Sequence, residues 1–364
     1  MGGNKVMEQN LVVEAISNES GIELCDKFLN SNSPKYIFGR NIYAEKVLSH
    51  VNIDGFIDDF YEENFYLDKR VVRLKDVPQD AIVLVLSAGR PFTAIERVKE
   101  YNLEYIDYFT FFKYAEFNLT DIMFNESFAT KFYQNKDKFN KIYNLLSDEI
   151  SKEQFKKLIN FKLSYNLDYL KGFTFKEDIQ YFEDFLIFEE GREVFVDVGG
   201  FDGYTTQEFI KLCPKYKSIH IFEPEEKNLK VAKDRLKDFT NINFHLLGLS
   251  NKKETLRFDI SGSSSKISDN GAIVIKVDKL DDIINDEITF IKMDIEGAEE
   301  NAIEGSKDLI EKYHPKLAIC VYHHPNDFWK IPEQVLAIRN DYKIYLRHYT
   351  ESIYETVMFF IPIN

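Results

Sequence analysis

The sequence predicts an α/β protein in which mostly parallel sheets are flanked by helices. Two stretches of the 364-residue chain alternate short apolar runs with segments of helical periodicity, one near the N-terminus and a stronger one in the C-terminal half. Such alternation is typical of strand–helix–strand units and therefore of parallel sheets. The length exceeds what one hydrophobic core usually supports, so we expect more than one domain.

The patterns divide the chain into four segments. We expect an N-terminal segment at 1–34, a small Rossmann-like α/β domain at 35–118, a helical connector at 119–190 and a larger α/β domain at 191–364. Within the connector, Ser151 and Gln154 have the spacing of a capping box that would begin a helix. The small domain should have strands at 36–38, 55–58, 81–87 and 104–106, with helices at 44–50 and 93–101.

The larger domain carries the clearest pattern. Five apolar runs predict parallel strands at 194–198, 218–222, 242–247, 289–293 and 316–321, and helical spacing predicts helices at 204–213, 225–238, 298–312 and 328–340. Two further apolar runs, 342–347 and 355–361, are separated by a short polar turn. Because a short turn can join only antiparallel neighbours, we expect the sheet to end in a hairpin.

Composition excludes several classes of protein. The formal net charge of −15 argues against binding along a nucleic-acid backbone, which requires an excess of Lys and Arg. No apolar run approaches the roughly 20 residues of a membrane-spanning helix. Cys25, Cys213 and Cys320 are odd in number and widely spaced, which is typical of reduced thiols. We therefore expect a cytoplasmic protein with no nucleic-acid partner and no membrane span; a homo-oligomer remains open.

A glycine-rich turn follows the strand at 194–198. Gly199 and Gly203 allow a ligand to approach the backbone closely, and the helix that begins after them offers free amide groups. Glu223 ends the next strand, roughly 20 residues later, where a carboxylate can accept hydrogen bonds from both hydroxyls of a ribose. A tight turn without a ligand and a helix-capping carboxylate are the alternative interpretations.

A second group of carboxylates follows another predicted strand. Asp294 and Glu296 come directly after the strand at 289–293. The carboxyl ends of strands in an open parallel sheet border one crevice, so residues far apart in sequence converge there. We expect these carboxylates to share the crevice with the glycine turn and Glu223.

Four motifs occur in a fixed order in this half of the chain: Phe-Val-Asp-Val-Gly at 195–199, Phe-Glu-Pro at 222–224, Ile-Lys-Met-Asp-Ile-Glu-Gly-Ala-Glu at 291–299 and Tyr-His-His-Pro at 322–325. Together they resemble FkbM-type S-adenosylmethionine-dependent O-methyltransferases, over about 181–364. The resemblance implies a class I methyltransferase sheet and methyl transfer to a hydroxyl group, commonly of a sugar or a polyketide. The family usually has Gly-Ala-Asn-x-Gly in the turn; this chain has Asp202 before the last glycine, which would repel the donor's carboxylate unless the side chain turns away.

The resemblance and the chemistry of the donor imply a set of contacts. S-adenosylmethionine carries an amino acid, a ribose and an adenine on a sulfonium centre. We expect Asp197 near the amino-acid part, Gly199 and Gly203 against the donor, and Glu223 on the ribose. Gly248 lies either at the rim of the adenine site or in a simple turn.

Methyl transfer also requires a group that removes the proton of the acceptor hydroxyl. Asp294, Glu296, His323 and His324 are the candidates, and His323 is preferred because imidazole titrates near neutrality and this residue follows a strand bordering the crevice. We therefore expect His323, Asp294 and Glu296 to be catalytic. Asp294 and His323 would equally suit a divalent metal that polarises the hydroxyl, and their spacing does not decide between these mechanisms.

The small domain has its own glycine turn, beginning at Gly39. Asn41 and Ala44 replace the second and third glycines of the dinucleotide-binding pattern, which weakens the case for a nicotinamide cofactor. The domain resembles the small Rossmann-like domains that precede catalytic modules in bacterial carbohydrate-modifying proteins, and its role is open between acceptor recognition, nucleotide-sugar binding and packing.

The leading hypothesis is an S-adenosylmethionine-dependent O-methyltransferase acting on a small-molecule or sugar acceptor, such as a glycan precursor. A nicotinamide-dependent oxidoreductase and a non-catalytic binding or assembly protein with a degenerate site are the alternatives.

Overall fold

The chain forms two large sheets and one small sheet in a computed structural model that describes residues 11, 13, 18–261, 264–267 and 273–363. The predicted α/β fold class is confirmed, because both large sheets are mostly parallel and are flanked by helices. Residues 1–10, 12 and 14–17 of the predicted N-terminal segment lie outside the described residues.

The first sheet contains six strands. The elements of this part are α1 Glu19–Asn30, β1 Lys35–Phe38, α2 Ala44–Leu48, β2 Gly55–Ile57, β3 Phe65–Tyr66, β4 Lys69–Val72, β5 Ile82–Val85, α3 Pro91–Glu100, β6 Glu104–Asp107 and α4 Tyr108–Tyr114. The strand order is β3-β4-β2-β1-β5-β6, and all neighbours are parallel except β3 and β4. Helix α1 and the β3–β4 pair were not predicted from the sequence.

The predicted helical connector is only partly helical. It contains α5 Phe128–Gln134, α6 Lys136–Leu145 and α7 Glu149–Ser164, followed by a short 3-10 turn at Leu167–Leu170. Residues 171–193 form turns and extended chain, which corrects the expectation of helix up to residue 190.

The predicted capping box at Ser151 is also wrong. Helix α7 begins three residues earlier, with Asp148 as its N-cap, because the Asp148 side chain accepts a hydrogen bond from the Ser151 backbone amide at 2.8 Å. The Ser151 hydroxyl lies inside the helix and accepts the Leu346 amide at 2.9 Å, so it ties α7 to the C-terminal hairpin.

The second large sheet contains seven strands. Its part of the chain runs β7 Val194–Val198, α8 Tyr204–Leu212, β8 Ser218–Phe222, α9 Glu226–Arg235, β9 Ile242–His245, β10 Gly248–Leu249, β11 Glu254–Ser261, β12 Ser264–Ile267, β13 Ile273–Asp278, α10 Leu280–Ile283, β14 Phe290–Met293, α11 Glu299–Glu304, α12 Lys307–Tyr313, β15 Lys316–Cys320, α13 Asp327–Ile338, β16 Tyr342–His348 and β17 Thr356–Pro362. The order is β16-β17-β15-β14-β7-β8-β9. Strands β15, β14, β7, β8 and β9 are parallel, and the predicted antiparallel hairpin of β16 and β17 closes one edge.

Two features of this part depart from the sequence pattern. Strands β10 to β13 form a separate four-stranded sheet in the order β10-β13-β11-β12, which the polar sequence did not indicate. The predicted helix at 298–312 is divided into α11 and α12 at Gly305, where an added Cβ would lie 2.0 Å from the carbonyl oxygen of Ser250. Contact with the segment after β10 therefore requires a glycine at the break.

The central strands are apolar because both of their faces are covered. Every residue of β7 and β14 is buried, as expected for parallel strands between two layers of helices. Phe195 and Phe290 stack on neighbouring strands with ring centroids 5.0 Å apart. Among the described residues, no helix is long and apolar enough to cross a bilayer.

Gly199→Ala tests the contact that joins the turn after β7 to the end of β14. Gly199 has a φ of +76°, and an added Cβ would lie 1.9 Å from the carbonyl oxygen of Asp294. We expect the variant to lose at least about 2 kcal/mol of unfolding free energy, because backbone strain and a backbone clash add. Urea denaturation measures the loss, with Gly89→Ala as control, since nothing lies within 4 Å of a Cβ there. Equal stability of the two variants would contradict this prediction.

Candidate functional site

The candidate site lies at the carboxyl ends of the parallel strands in the second large sheet. The turn after β7 contains the glycines, Glu223 follows β8, Asp294 follows β14, and His323 lies shortly after β15. In parallel sheets these ends border one crevice, and the structure brings the two predicted groups of residues to it.

Glu223 organises the glycine turn. Its carboxylate is buried and accepts the Phe201 amide through Oε2 at 3.0 Å and the Glu225 amide through Oε1 at 2.8 Å. Burial raises the pKa of Glu223 above its ordinary value, although these amide bonds act in the opposite direction. The residue predicted to bind a ribose is thus adjacent to the turn, and its carboxylate also accepts a hydrogen bond from the Asn228 side chain.

Asp202 does not leave an uncompensated charge in the turn. Its Oδ2 forms an ion pair with the Arg235 guanidinium at 2.5 Å, and its Oδ1 accepts the Tyr204 amide at 3.0 Å. The side chain therefore turns toward α9 and the start of α8. The ion pair with Arg235 reduces the repulsion that we expected Asp202 to exert on the carboxylate of a donor.

Asp197 is completely buried inside the sheet. Its Oδ2 accepts the Thr206 hydroxyl at 2.7 Å, and its Oδ1 lies 3.1 Å from Nζ of Lys292. The Lys292 ammonium also donates to the Gly199 carbonyl at 2.7 Å. The structure gives Asp197 a structural role and leaves it no exposed surface with which to contact the amino-acid part of a donor.

The glycines named from the sequence are fixed by packing of the chain itself. Gly199 adjoins the Asp294 backbone, as described above, and an added Cβ at Gly203 would lie 3.1 Å from the Cα of Ala232 in α9. Gly248 is placed on the Glu223 side of the crevice, because a Cβ there would lie 3.8 Å from the Cβ of Pro224. The contacts at Gly199 and Gly203 account for those two glycines without a ligand, and the predicted contacts of all three glycines with a donor stay predictions.

The three residues predicted to be catalytic lie together. Nε2 of His323 is 3.5 Å from Oδ1 of Asp294 and 3.7 Å from Oε2 of Glu296. On the other side of the ring, Nδ1 is 3.0 Å from Oε1 of Glu299. The imidazole is buried, and the ring of Phe124 packs edge-on against it at 5.2 Å between centroids.

The carboxylates around His323 raise its pKa above the range expected from the sequence. Burial alone would lower the pKa of His323, but Glu299, Asp294 and Glu296 raise it to about 10. The prediction of an imidazole that titrates near neutrality is therefore wrong: three acids hold the ring as an imidazolium at pH 7. His324, the other candidate histidine, points away, with Nε2 3.2 Å from the Gly297 carbonyl oxygen.

The two carboxylates of the predicted catalytic group differ in their protonation. Burial raises the pKa of Glu296 to about 7, and the nearby His323 offsets only part of that shift. Burial also acts to raise the pKa of Asp294, but Lys292 and His323 outweigh it and hold the pKa below the ordinary value. Asp294 is thus a permanent anion at neutral pH, whereas Glu296 exchanges a proton there.

Several residues of the site were not named as site residues from the sequence. Tyr181 donates a hydrogen bond to Oδ2 of Asp294 at 2.7 Å, and Tyr322 donates to Oε1 of Glu355 at 3.4 Å. Burial and the neighbouring Asp294 raise the pKa of Glu355 to about 7. Tyr181 belongs to the irregular segment 171–193, where no periodicity could have revealed it. Glu355 is the first residue of the strand predicted at 355–361 but lies in the hairpin turn before β17, and strand periodicity did not indicate its partners. Glu299 did carry a signal, since it ends the motif at 291–299.

Comparisons with known proteins agree with this geometry. Residues 197–352 match a protein-family model described as "Methyltransferase FkbM domain". No curated protein is similar enough to the sequence to match it. Among solved structures, methyltransferase FkbM from Methylobacillus flagellatus KT is 21% identical, with 95% of this chain and 99% of that chain covered and a TM-score of 0.72. This likeness shows that the same fold extends over nearly the whole chain.

Two further solved structures are similar over a smaller share. An rRNA methylase from Streptococcus thermophilus is 16% identical, with 48% of this chain and 89% of that chain covered and a TM-score of 0.33. A SAM-dependent methyltransferase from Aquifex aeolicus is 11% identical, with 51% of this chain and 90% of that chain covered and a TM-score of 0.32.

Proposed function

We propose that the protein transfers a methyl group from S-adenosylmethionine to a hydroxyl group of a sugar or glycan precursor, since residues 197–352 match the model of a methyltransferase FkbM domain. One observation carries the proposal: a carboxylate beside the glycine turn and a cluster of carboxylates around His323 border the same crevice. The first suits a ribose, and the second suits an acceptor hydroxyl.

The residues at the ends of β7 and β8 fit such a donor. S-adenosylmethionine supplies an electrophilic methyl group on a positively charged sulfur. Glu223 is already oriented by two backbone amides, so little rearrangement is needed for its remaining lone pairs to accept ribose hydroxyls. Phe201 is 62% exposed in the same turn and offers an aromatic surface beside that carboxylate.

The acceptor end of the site is acidic and aromatic. Asp294, Glu296 and Glu355 contribute carboxylates, and the buried Tyr181 and Tyr322 lie behind them and donate hydrogen bonds to Asp294 and Glu355. Carboxylates accept hydrogen bonds from hydroxyl groups and repel anions. An uncharged or cationic polyhydroxyl compound therefore fits this surface better than a phosphorylated one.

Glu296 is the group that we propose as the base. Its side chain is 34% exposed, its pKa is about 7, and, within the described residues, His323 is the one side chain with which it pairs. As the new carbon–oxygen bond forms and the carbon–sulfur bond breaks, the acceptor hydroxyl would pass its proton to the Glu296 carboxylate. His323 would stay protonated and hold Asp294 and Glu296 in position.

Glu223→Ala tests donor binding. We expect the affinity for S-adenosylmethionine to fall about tenfold or more, because a charge-assisted hydrogen bond to the ribose is lost. Calorimetric titration measures the affinity, with Glu226→Ala, an exposed glutamate in the first turn of α9, as the matched control.

Unchanged affinity in Glu223→Ala would remove the ribose role. The same titration with the unchanged protein tests the proposed function. Binding of NAD(H) in place of S-adenosylmethionine would favour the oxidoreductase. Binding of S-adenosylmethionine without methyl transfer to sugars would favour a non-catalytic protein.

The pH profile of methyl transfer tests the base. If Glu296 accepts the proton, kcat/KM, which reports the ionisation of the free enzyme, should rise about tenfold per pH unit up to about pH 7, where the carboxyl group is half ionised, and then level off. In Glu296→Gln we expect this rise of the rate with pH to disappear and kcat to fall about 10²-fold or more.

Two outcomes would contradict this assignment. A limb that persists in Glu296→Gln but disappears in Glu355→Gln would make Glu355 the base, since its pKa is also about 7. A rate that rises until about pH 10 would identify His323 instead.

A metal-assisted mechanism is the second candidate. Asp294, Glu299 and His323 offer ligand atoms within 4.8 Å of one another, and neither ring nitrogen of the buried His323 makes a well-aligned hydrogen bond. Asp294 faces Nε2 of His323, so these two residues could share a divalent cation that would polarise the acceptor hydroxyl, whereas Glu299 faces Nδ1 and would orient the ring. His323 would have to lose its proton, so metal binding would release a proton and strengthen with pH.

Chelation decides between the two mechanisms. If a metal is required, dialysis against a chelator should abolish methyl transfer, and Mg²⁺, Mn²⁺ or Zn²⁺ should restore it, while donor affinity stays the same. Full activity in the presence of the chelator would exclude the metal and leave Glu296 as the base.

A further inference from the structure

The turn between β16 and β17 is buried, although loops normally run over the surface. Tyr349, Ser352 and Ile353 are at most 1% exposed, and Glu351 is 7% exposed. The turn is covered by residues at the carboxyl edge of the first sheet. The two large sheets therefore meet at this short segment, residues 349–355.

Glu351 makes the central contact. Its Oε2 accepts the Thr93 amide at 2.8 Å, and its Oε1 accepts the Thr93 hydroxyl. Thr93 is the third residue of α3, whose N-cap residue, Arg90, makes no side-chain capping bond. Glu351 therefore caps α3 from 258 positions away in the sequence, and the Ser352 hydroxyl donates to the Ala88 carbonyl beside it.

This contact occupies the place where an open α/β sheet usually binds a ligand. Strand β1 pairs with β2 on one side and β5 on the other, so chain connections diverge at the carboxyl ends of β1 and β5. There the Asn41 side-chain amide donates to the Leu86 carbonyl at 2.5 Å. The Glu351 carboxylate accepts a hydrogen bond from the Thr93 backbone amide in the first turn of α3. The chain's own carboxylate has taken the position that a ligand's anionic group would take.

The other end of the same turn reaches the candidate active site. The Tyr349 amide donates to the Glu355 carbonyl at 3.0 Å, and the Glu355 carboxylate accepts hydrogen bonds from Gln180 and Tyr322. Tyr354 packs edge-on against Phe124, the ring that also covers His323. Seven consecutive residues thus join the first sheet to the carboxylate cluster.

We propose that the N-terminal α/β domain positions the methyl-transfer site rather than binding a dinucleotide, and that Glu351 is the positioning residue through which it acts. By capping α3, Glu351 fixes the turn 349–355 and so holds Glu355 and Tyr354 against Tyr322 and Phe124. The effect on catalysis rests on the proposed function, whereas the effect on the turn does not.

Hydrogen exchange and kinetics of Glu351 and Thr93 variants test this inference on the full chain. In Glu351→Ala we expect the amides of 349–355 to exchange about tenfold faster, because the cap that fixes the turn is lost. We expect kcat for methyl transfer to fall about tenfold or more, since small displacements of reacting groups are costly, while the affinity for S-adenosylmethionine stays within about twofold. Thr93→Ser keeps the amide and the hydroxyl and should behave as the unchanged protein, and Glu226→Ala is the surface control.

Unchanged exchange in 349–355 or unchanged kcat in Glu351→Ala would overturn the inference. If that variant does not fold, Thr93→Val against Thr93→Ser repeats the test, because valine removes only the hydroxyl bond. Binding of NAD(H) to the unchanged protein with protection of the Thr93 amide would also overturn it. A protein that fails to bind S-adenosylmethionine would refute the proposed function, and the exchange measurements would still judge the positioning role.

Discussion

The buried ammonium of Lys292 is the interaction on which the site depends. It lies 3.1 Å from the Asp197 carboxylate and donates to the Gly199 carbonyl, so it joins β14, β7 and the glycine turn. Burial acts to lower the pKa of Lys292, but Asp197 and Asp294 raise it above the ordinary value, and the side chain stays charged. Without this cation the Asp197 carboxylate would be left in the interior without a countercharge, which is strongly destabilising.

The same balance of charge explains the protonation of the crevice. Asp294 is stabilised as an anion by Lys292 and by the imidazolium of His323. Glu299 lies on the opposite side of that ring and fixes its orientation. Burial raises the pKa of the next carboxylate, Glu296, to about 7; Asp294 and Glu299 act in the same direction, and His323 offsets only part of the shift. A permanent anion, a permanent cation and a group that titrates near neutrality therefore arise from one cluster.

The first sheet and its helices are integrated into this arrangement. The hairpin turn is buried against them, and the irregular segment 171–193 supplies Gln180 and Tyr181 to the cluster. Parts of the chain from outside the second large sheet thus reach its crevice from two directions. The match to a solved structure over 95% of this chain shows that this two-sheet fold occurs elsewhere as a unit.

The sequence by itself determined the α/β class, the strands of the second large sheet and the convergence of Glu223, Asp294, Glu296 and His323. These follow from local periodicity and from the rule that parallel strands end at one edge, and both can be read along the chain. The sequence also contains a signal for Lys292, because a charged residue within an apolar strand indicates that the charge has a buried partner.

Only the tertiary structure decided what these residues do. The pKa of His323 depends on the distances from its ring to three carboxylates. The burial of Asp197 depends on the packing of α8 and β14 around it. Glu351 contacts Thr93 only when the two large sheets pack together. Tyr181 lies in a segment without periodicity, and the strand periodicity that includes Glu355 says nothing about its partners, so the place of either residue in the site could not be predicted. Electrostatic interaction and desolvation depend on distance and burial in three dimensions, and a linear pattern contains neither.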